Sequence, residues 1–202
     1  MKSKADELIY SKHYLTLTRE ELKEQVRTQM SAKRFIHVLG VEAAAVELAE
    51  QYGASLEAAS IAALCHDIAK ERPDQEMKEL IKLCGLPSEL IDYGSNIWHG
   101  PCAAEIVKKD YHLFDEDILN AIRYHTIGRS EMSLLEKVIY VADYIEPGRH
   151  FPGVEEARRL AGENLQAAVS FETQQTLIYL IQTKKKIYPR ALATYNRWVA
   201  DK

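Results

Sequence analysis

Four histidines and two aspartates stand where their side chains could meet and do chemistry. His66 and Asp67 are adjacent inside an otherwise apolar run from Ser60 to Ala69. A buried ionised carboxylate is prohibitively costly in an apolar medium without a partner. A divalent cation is such a partner, and imidazole with carboxylate is a common ligand set for one. Asp143 repeats the setting, as the one carboxylate in Val138-Ile139-Tyr140-Val141-Ala142-Asp143-Tyr144-Ile145. Its bland reading is an ion pair with Arg149 or a helix cap. His37 lies on a helical pattern in Lys33-Arg34-Phe35-Ile36-His37. Taken alone, such a histidine is more often a satisfied core residue than a ligand.

Together His37, His66, Asp67 and Asp143 offer two imidazoles and two carboxylates. That set suits iron, manganese or zinc better than magnesium, which prefers oxygen ligands. Fewer than six protein ligands leave room for water and a substrate oxygen. A metal-held water ionises near neutral pH and becomes a nucleophile. His99, in Trp98-His99-Gly100-Pro101, and His125, in Arg123-Tyr124-His125-Thr126, could hold a second metal or contact phosphate directly. A pair of ions about 3.5–4 Å apart would clamp the attacking and leaving oxygens. The remaining histidines, His13, His112 and His150, lie in polar or terminal stretches and read as surface residues.

Cations accompany these candidates. Arg34 is one turn before His37, and Lys70 one turn after His66 and Asp67. Arg149 follows Asp143 through Glu146-Pro147-Gly148. Each alone is more often a surface charge. Their repeated placement points to a phosphate-bearing substrate, with Arg supplying bidentate contacts. The formal net charge of -4 argues against a dedicated nucleic-acid binder. Phosphate would be held by local cations or metal, not by the overall field.

Helices must position these groups. Thr18-Arg19-Glu20-Glu21 is a capping-box pattern that opens a first helix. Ser31 caps or continues it, and helical spacing runs to Tyr52 with Gly53 as a stop. Ser55 caps a helix over Leu56 to Lys70, apolar nearly all round, as a central buried helix should be. Further helices are predicted over Asp74 to Leu83, from Pro87-Ser88 to about Tyr93, and from Pro101, read as a first helical residue, to about Tyr111. Gly94 to Gly100 reads as a loop. Asp115 caps a helix through Tyr124, and Thr126 to Glu131 is a loop. Ser133-Leu134-Leu135-Glu136 is a second capping box, for a helix to Ile145. Helices follow at Val154 to Ala161, Leu165 to Lys185 and Pro189 to Val199. No segment alternates with period two. The expectation is all-α: residues 1–17 a loose lead-in, and residues 18–202 a single domain with its C-terminal helices packed on the core.

A hydrophobic fraction of 47% in 202 residues allows a sizeable core. Cys65, Cys84 and Cys102 show no CxxC pairing and read as reduced, buried thiols in a cytoplasmic protein. The polar N-terminus lacks the apolar core of a signal peptide, and no apolar stretch is long enough to span a bilayer.

The order His37, His66-Asp67, Asp143 resembles the HD-domain metal-dependent phosphohydrolases. The similarity extends to the bacterial YqeK-type branch through Phe35-Ile36-His37-Val38-Leu39-Gly40-Val41, His66-Asp67-Ile68-Ala69-Lys70-Glu71, Trp98-His99-Gly100-Pro101, Ala121-Ile122-Arg123-Tyr124-His125-Thr126 and Ala142-Asp143-Tyr144-Ile145-Glu146-Pro147-Gly148-Arg149. It covers about residues 20–195. The one soft departure is Ile68, where an aromatic is expected in many relatives. The resemblance implies an HD-domain helical bundle and symmetrical hydrolysis of diadenosine tetraphosphate to two ADP. It also implies one or two divalent ions, iron foremost. By position, His37, His66, Asp67 and Asp143 would be the metal ligands, with His66, Asp67 and Lys70 catalytic. His99 and His125 would contact phosphate or a second metal, and Arg34, Lys70 and Arg149 would hold phosphate. Tyr188 or Arg190 would lie near the base. ADP or GDP would be a product-like ligand. A homodimer is open, through apolar residues on the C-terminal helices.

Other HD activities, a nucleoside 5′-monophosphatase or a guanosine tetraphosphate hydrolase, form one alternative. A cyclic-dinucleotide phosphodiesterase is disfavoured because no Gly-Tyr-Pro triplet occurs. A non-catalytic nucleotide sensor is the other alternative, but it has no chemical need for all six positions.

Overall fold

The computed structural model describes residues 4–201; residues 1–3 of the expected lead-in, and residue 202, lie outside it. The fold is all-α, with no β-strand among the described residues. Thr18 and Glu21 form the expected reciprocal capping box at the start of α1 (Arg19–Arg27). The chain breaks there, and Ser31 caps α2 (Ala32–Tyr52), which Gly53 ends at φ +79°. Ser55 caps α3 (Leu56–Cys65). Then come α4 (Asp74–Leu83), a 3₁₀ turn over Ser88–Tyr93, and α5 (Ser95–Asp110). Asp115 caps α6 (Glu116–Tyr124), and the second capping box opens α7 (Leu134–Ile145). The chain finishes with α8 (Val154–Glu163), α9 (Leu165–Gln182), α10 (Pro189–Tyr195) and a π-helical turn over Asn196–Ala200.

The all-apolar α3 sits at the centre, buried at every position from Ala58 to Cys65. It packs on α1, α2, α6 and α7; α5 lies on α6, and α9 covers α7 and α8. The lead-in is packed, not loose. Ala5, Tyr10 and Leu15 are buried, and Tyr10 Oη pairs with Ser60 Oγ at 2.8 Å. Ser60 Oγ in turn donates to Glu42 Oε1 at 2.5 Å, and buried Arg19 grips that carboxylate at 2.7 and 2.8 Å. This satisfied polar network locks the lead-in, α1, α2 and α3 in one register.

Two boundaries differ from expectation in ways that build the site. First, α3 ends at Cys65, so His66 and Asp67 lie outside the helix that was predicted to run to Lys70. The chain continues in tighter turns, Ile68 N–H to Cys65 O at 3.2 Å and Lys70 N–H to Asp67 O at 2.9 Å. The last carbonyls of a helix lack backbone donors, and the His66 ring nitrogen Nδ1 serves Ala63 O at 2.6 Å. Second, the predicted Gly94 to Gly100 loop is helical from Ser95 onward, and Pro101 lies inside α5 rather than at its start. An internal proline removes a hydrogen bond and crowds the preceding turn. Full burial of Trp98, His99 and Cys102 in that segment offsets the cost. Of the cysteines, Cys65 and Cys102 are buried as expected, whereas Cys84 is exposed; all three are free. No helix among the described residues is long and apolar enough to cross a membrane.

Candidate metal centre

Five elements bring the candidate ligands together. His37 comes from the first half of α2, and His66 and Asp67 from the turn after α3. His99 lies on α5, His125 caps the C-terminus of α6, and Asp143 lies on α7. The turn carrying the doublet is tied to the start of α2, because Ser31 N–H and Oγ both donate to the Glu71 carboxylate at 2.6 and 2.9 Å. His66 and His125 stand at helix C-termini, whose partial negative charge favours a cation.

Every one of the four imidazoles is held by its Nδ1. His66 meets Ala63 O at 2.6 Å, His125 meets Ile122 O at 2.7 Å, and His99 meets Ser95 O at 2.8 Å. His37 meets Glu146 Oε1 at 3.1 Å. A carbonyl or carboxylate at Nδ1 fixes the proton there and leaves the Nε2 lone pair for a cation. All four Nε2 atoms point at Asp67. Its Oδ2 lies 3.4 Å from His66 and 3.6 Å from His37; its Oδ1 lies 3.3 Å from His99 and 3.8 Å from His125. Asp143 Oδ1 is 3.1 Å from His37 Nε2.

A divalent cation fits this donor set. His37 Nε2 and His66 Nε2 are buried without a hydrogen-bond partner. His99 Nε2 and His125 Nε2 face each other at 2.9 Å, an arrangement that repels when both present lone pairs and is relieved by a shared cation. Two ligand groups have donor atoms within 4.8 Å of one another, His37 with His66 and Asp143, and His66 with Asp67 and His125.

The electrostatics prepare the same result. Burial alone would raise the Asp67 carboxyl, but His66 and His99 overcome it and hold it well below the usual range. Asp143 is likewise depressed, burial being outweighed by His37, His66 and Arg149. Burial brings His125 down to about 3, helped by His66 and His99, and lowers His99 against the pull of Asp67. His66 is raised, because Asp67 beside it more than offsets burial. Ionised carboxylates and neutral imidazoles are the forms a metal needs; Asp67, Asp143, His99 and His125 are shifted toward them, whereas His66 is shifted toward the imidazolium, so a cation bound there must displace its proton.

The predicted cations ring the centre. Arg34 Nη1 donates to Asp67 Oδ2 at 2.8 Å and Arg149 Nη2 to Asp143 Oδ1 at 2.6 Å, so the ion pair weighed for Asp143 exists beside its contact to His37. Lys70 Nζ donates to Asn96 Oδ1 at 3.3 Å and stands 3.4 Å from His99 Nδ1. Tyr188 and Arg190 are not brought into this cluster. The Tyr188 ring packs on Tyr93, with centroids 5.0 Å apart, and its hydroxyl meets Glu89 at 3.3 Å, while Arg190 is exposed. His13, His112 and His150 are exposed as expected. Glu146, buried and fixing His37, was missed; its place three residues after Asp143, one helical turn on, was the available signal. Thr126 Oγ1, 3.2 Å from His99 Nε2, was missed as well.

A family model described as the HD domain matches residues 34–148, a span that holds every candidate ligand from His37 to Asp143. The chain belongs to the HD-domain family. Similar HD-domain relatives cover nearly all of it. A protein of Bacillus subtilis (strain 168), named bis(5′-nucleosyl)-tetraphosphatase, symmetrical, is 47% identical over 92% of this chain and 99% of its own length. One of the same name from Staphylococcus aureus (strain NCTC 8325 / PS 47) is 35% identical over 88% of this chain and 92% of its own. A crystal structure from Clostridium acetobutylicum, described as a predicted HD superfamily hydrolase involved in NAD metabolism, superposes with a TM-score of 0.87. It is 38% identical and covers 92% of this chain and 99% of its own.

Proposed function

We infer that this HD-domain chain is a metal-dependent hydrolase that splits diadenosine tetraphosphate symmetrically into two ADP. The observation that carries it is the inward ring of imidazole Nε2 atoms around Asp67, bordered by Arg34, Lys70 and Arg149. The names of the relatives from Bacillus subtilis and Staphylococcus aureus support the substrate.

A divalent cation bound here supplies a Lewis acid for a phosphoryl oxygen and ionises a water near neutral pH. We assign iron, held by His37, His66, Asp67 and Asp143, with His99 and His125 available to a second ion or to phosphate. Asp67 presents one oxygen to each histidine pair and so can serve both ligand sets. Arg34 and Arg149, oriented by the two aspartates, offer guanidinium donors to the phosphate chain. Lys70 neutralises charge that develops on the departing ADP oxygen. Burial pulls its ammonium below the usual lysine range. Exposed Ile181 of α9 and Leu192 of α10 support pairing of two copies.

Incubation of metal-loaded protein with diadenosine tetraphosphate, followed by separation of products, should give two ADP. ATP plus AMP would sink symmetrical cleavage, and no turnover would sink the hydrolase reading. Asp67→Ala should lose both bound metal and turnover; full activity in that variant would remove the metal centre from the reaction.

A further inference from the structure

The C-terminal helix α10 carries none of the candidate ligands, yet the chain around it grips the two stretches that deliver His99 and His125. Tyr188, the residue before α10, is buried. Its ring meets Tyr93 edge to face with centroids 5.0 Å apart, and its hydroxyl donates to Glu89 at 3.3 Å. Lys186 Nζ donates to Asp92 O at 3.0 Å. All three partners belong to the 3₁₀ turn over Ser88–Tyr93, which leads through Gly94 into α5 and so to His99.

Thr194, on α10 itself, grips the other stretch. It is fully buried, and its Oγ1 donates to Ile127 O at 2.8 Å, two residues past His125. The same hydroxyl lies 3.1 Å from Arg190 O, one turn back on its own helix. The approach is close. A Cβ on Gly128, which sits at φ +62°, would meet Thr194 Cγ2 at 2.7 Å. Trp198 adds a second hold on this loop, with Nε1 donating to Arg129 O at 2.8 Å. The backbone bonds from Ile127 N–H and Gly128 N–H both return to Tyr124 O, at 3.2 and 2.7 Å. They shape the turn after α6 but do not tie it to α5.

His99 and His125 need such a tie. They come from different helices and face each other through Nε2 at 2.9 Å, with Thr126 Oγ1 at 3.2 Å from His99 Nε2. Two nitrogens that both present lone pairs repel at that distance, so the helices that carry them must be held together from outside. A misplacement of about 1 Å in a site can cost about 100-fold in rate. Pro189 fixes its own φ at the start of α10 and so sets the direction in which the helix runs from Tyr188 to Thr194.

We propose that α10 is a brace between the start of α5 and the end of α6, and that Thr194 and Tyr188 are positioning residues that set the spacing of the His99–His125 pair. The inference deepens the hydrolase reading and rests on its assignment of that pair to an ion or to phosphate. It gives Tyr188 a place in the scaffold behind the histidines instead of beside the base, where the sequence suggested it.

Manganese(II) and inorganic pyrophosphate are the two probes, because the pair can serve an ion or a phosphate. Thr194→Val keeps the branched shape and loses the donor. Calorimetric titration should show at least one probe weakened about 10-fold, the lower end of what losing an outer partner of a ligand costs. Thr194→Ser keeps the hydroxyl and should bind as wild type does. In a His125→Ala background, Thr194→Val should change neither probe further, because two residues that act through one another are not additive. Tyr188→Leu, which loses the ring contact, should behave in the same way with His99→Ala as its background. No loss of either probe in either variant, or the same loss whether or not the paired histidine is present, overturns the brace. A wild type that turns over no dinucleoside polyphosphate overturns the hydrolase reading, and the titrations still decide the brace.

Discussion

His37 differs from the other three imidazoles in what holds its outer nitrogen. Backbone carbonyls serve His66, His99 and His125, whereas His37 is held by the carboxylate of Glu146. Glu146 is buried, accepts from Gly148 N–H at 2.5 Å, and fills the space beside Gly40, where an added Cβ would meet Oε2 at 2.5 Å. A carboxylate at this place raises the basicity of a ligating imidazole. Glu146→Gln keeps the shape and removes the charge, so metal affinity should fall about 10–100-fold with the fold intact. Competition against a chelator of known affinity measures this; equal affinity would show that Glu146 only fills space. Glu172 makes a different residue-scale prediction. Burial, with Asp143 adding to it and Arg149 opposing, raises its carboxyl well above the usual range. A raised folded value means that its contribution to stability is whole below the unfolded value of about 4.3. That contribution is lost as pH rises through the folded value. Glu172→Gln has no proton to lose, so its Tm advantage over wild type should widen as pH rises from about 4.3. A difference that stays constant between acid and neutral pH would sink this. His37, His66, Asp67 and Asp143 were legible because ionisable groups in apolar runs demand an account. Glu146 was less so, because its surroundings in sequence, Pro147 and Gly148, look like an ordinary loop.

At the scale of elements, the helix starts were the readable part. Thr18 and Ser133 pair with Glu21 and Glu136 as their spacing requires, and Ser55 and Asp115 each accept from a third-residue N–H. The end of α6 at Tyr124 was readable, but the end of α3 was not: His66 terminates it by a side-chain bond to a carbonyl three residues back, as His125 does at α6. No local propensity marks that use of histidine. Pro101 misled for the opposite reason: its strong local preference is overridden by burial of the turn around it. Gly100, just before it, sets how closely α5 approaches α6. A Cβ there would come within 2.8 Å of Arg123 O and 3.1 Å of Ile122 O, in the last turn before His125. Gly100→Ala should therefore wedge the two helices apart and separate the His99–His125 pair. Overpacking of this kind costs about 1–3 kcal/mol, a fall in Tm of roughly 2–4 °C per kcal/mol for a chain of this size. Metal stoichiometry should fall with it. A variant with wild-type Tm and full metal would show that the approach at Gly100 does not set the pair.

At the scale of the molecule, the centre draws on segments from His37 to Asp143 that meet only when α2, α3, α5, α6 and α7 are packed together. The unfolded chain has no such site, so the free energy of metal binding becomes free energy of folding. The donor types of the centre also made it legible in the sequence. Ligand types announce themselves, whereas Tyr144, Phe151 and Gln175 are unremarkable in sequence and line one cavity only when α9 folds back beside the end of α7. Free metal at about 100 times its Kd should add about 2.7 kcal/mol. For a chain of this length that is a rise in Tm of roughly 5–11 °C, at about 2–4 °C per kcal/mol. Melting with and without added metal, then with a chelator, should show the rise and its reversal. Asp67→Ala, which removes the carboxylate facing all four imidazoles, should melt at one temperature under all three conditions. If that variant keeps the metal-dependent rise, the stabilising ion sits elsewhere on the chain and this centre is not what couples metal to folding.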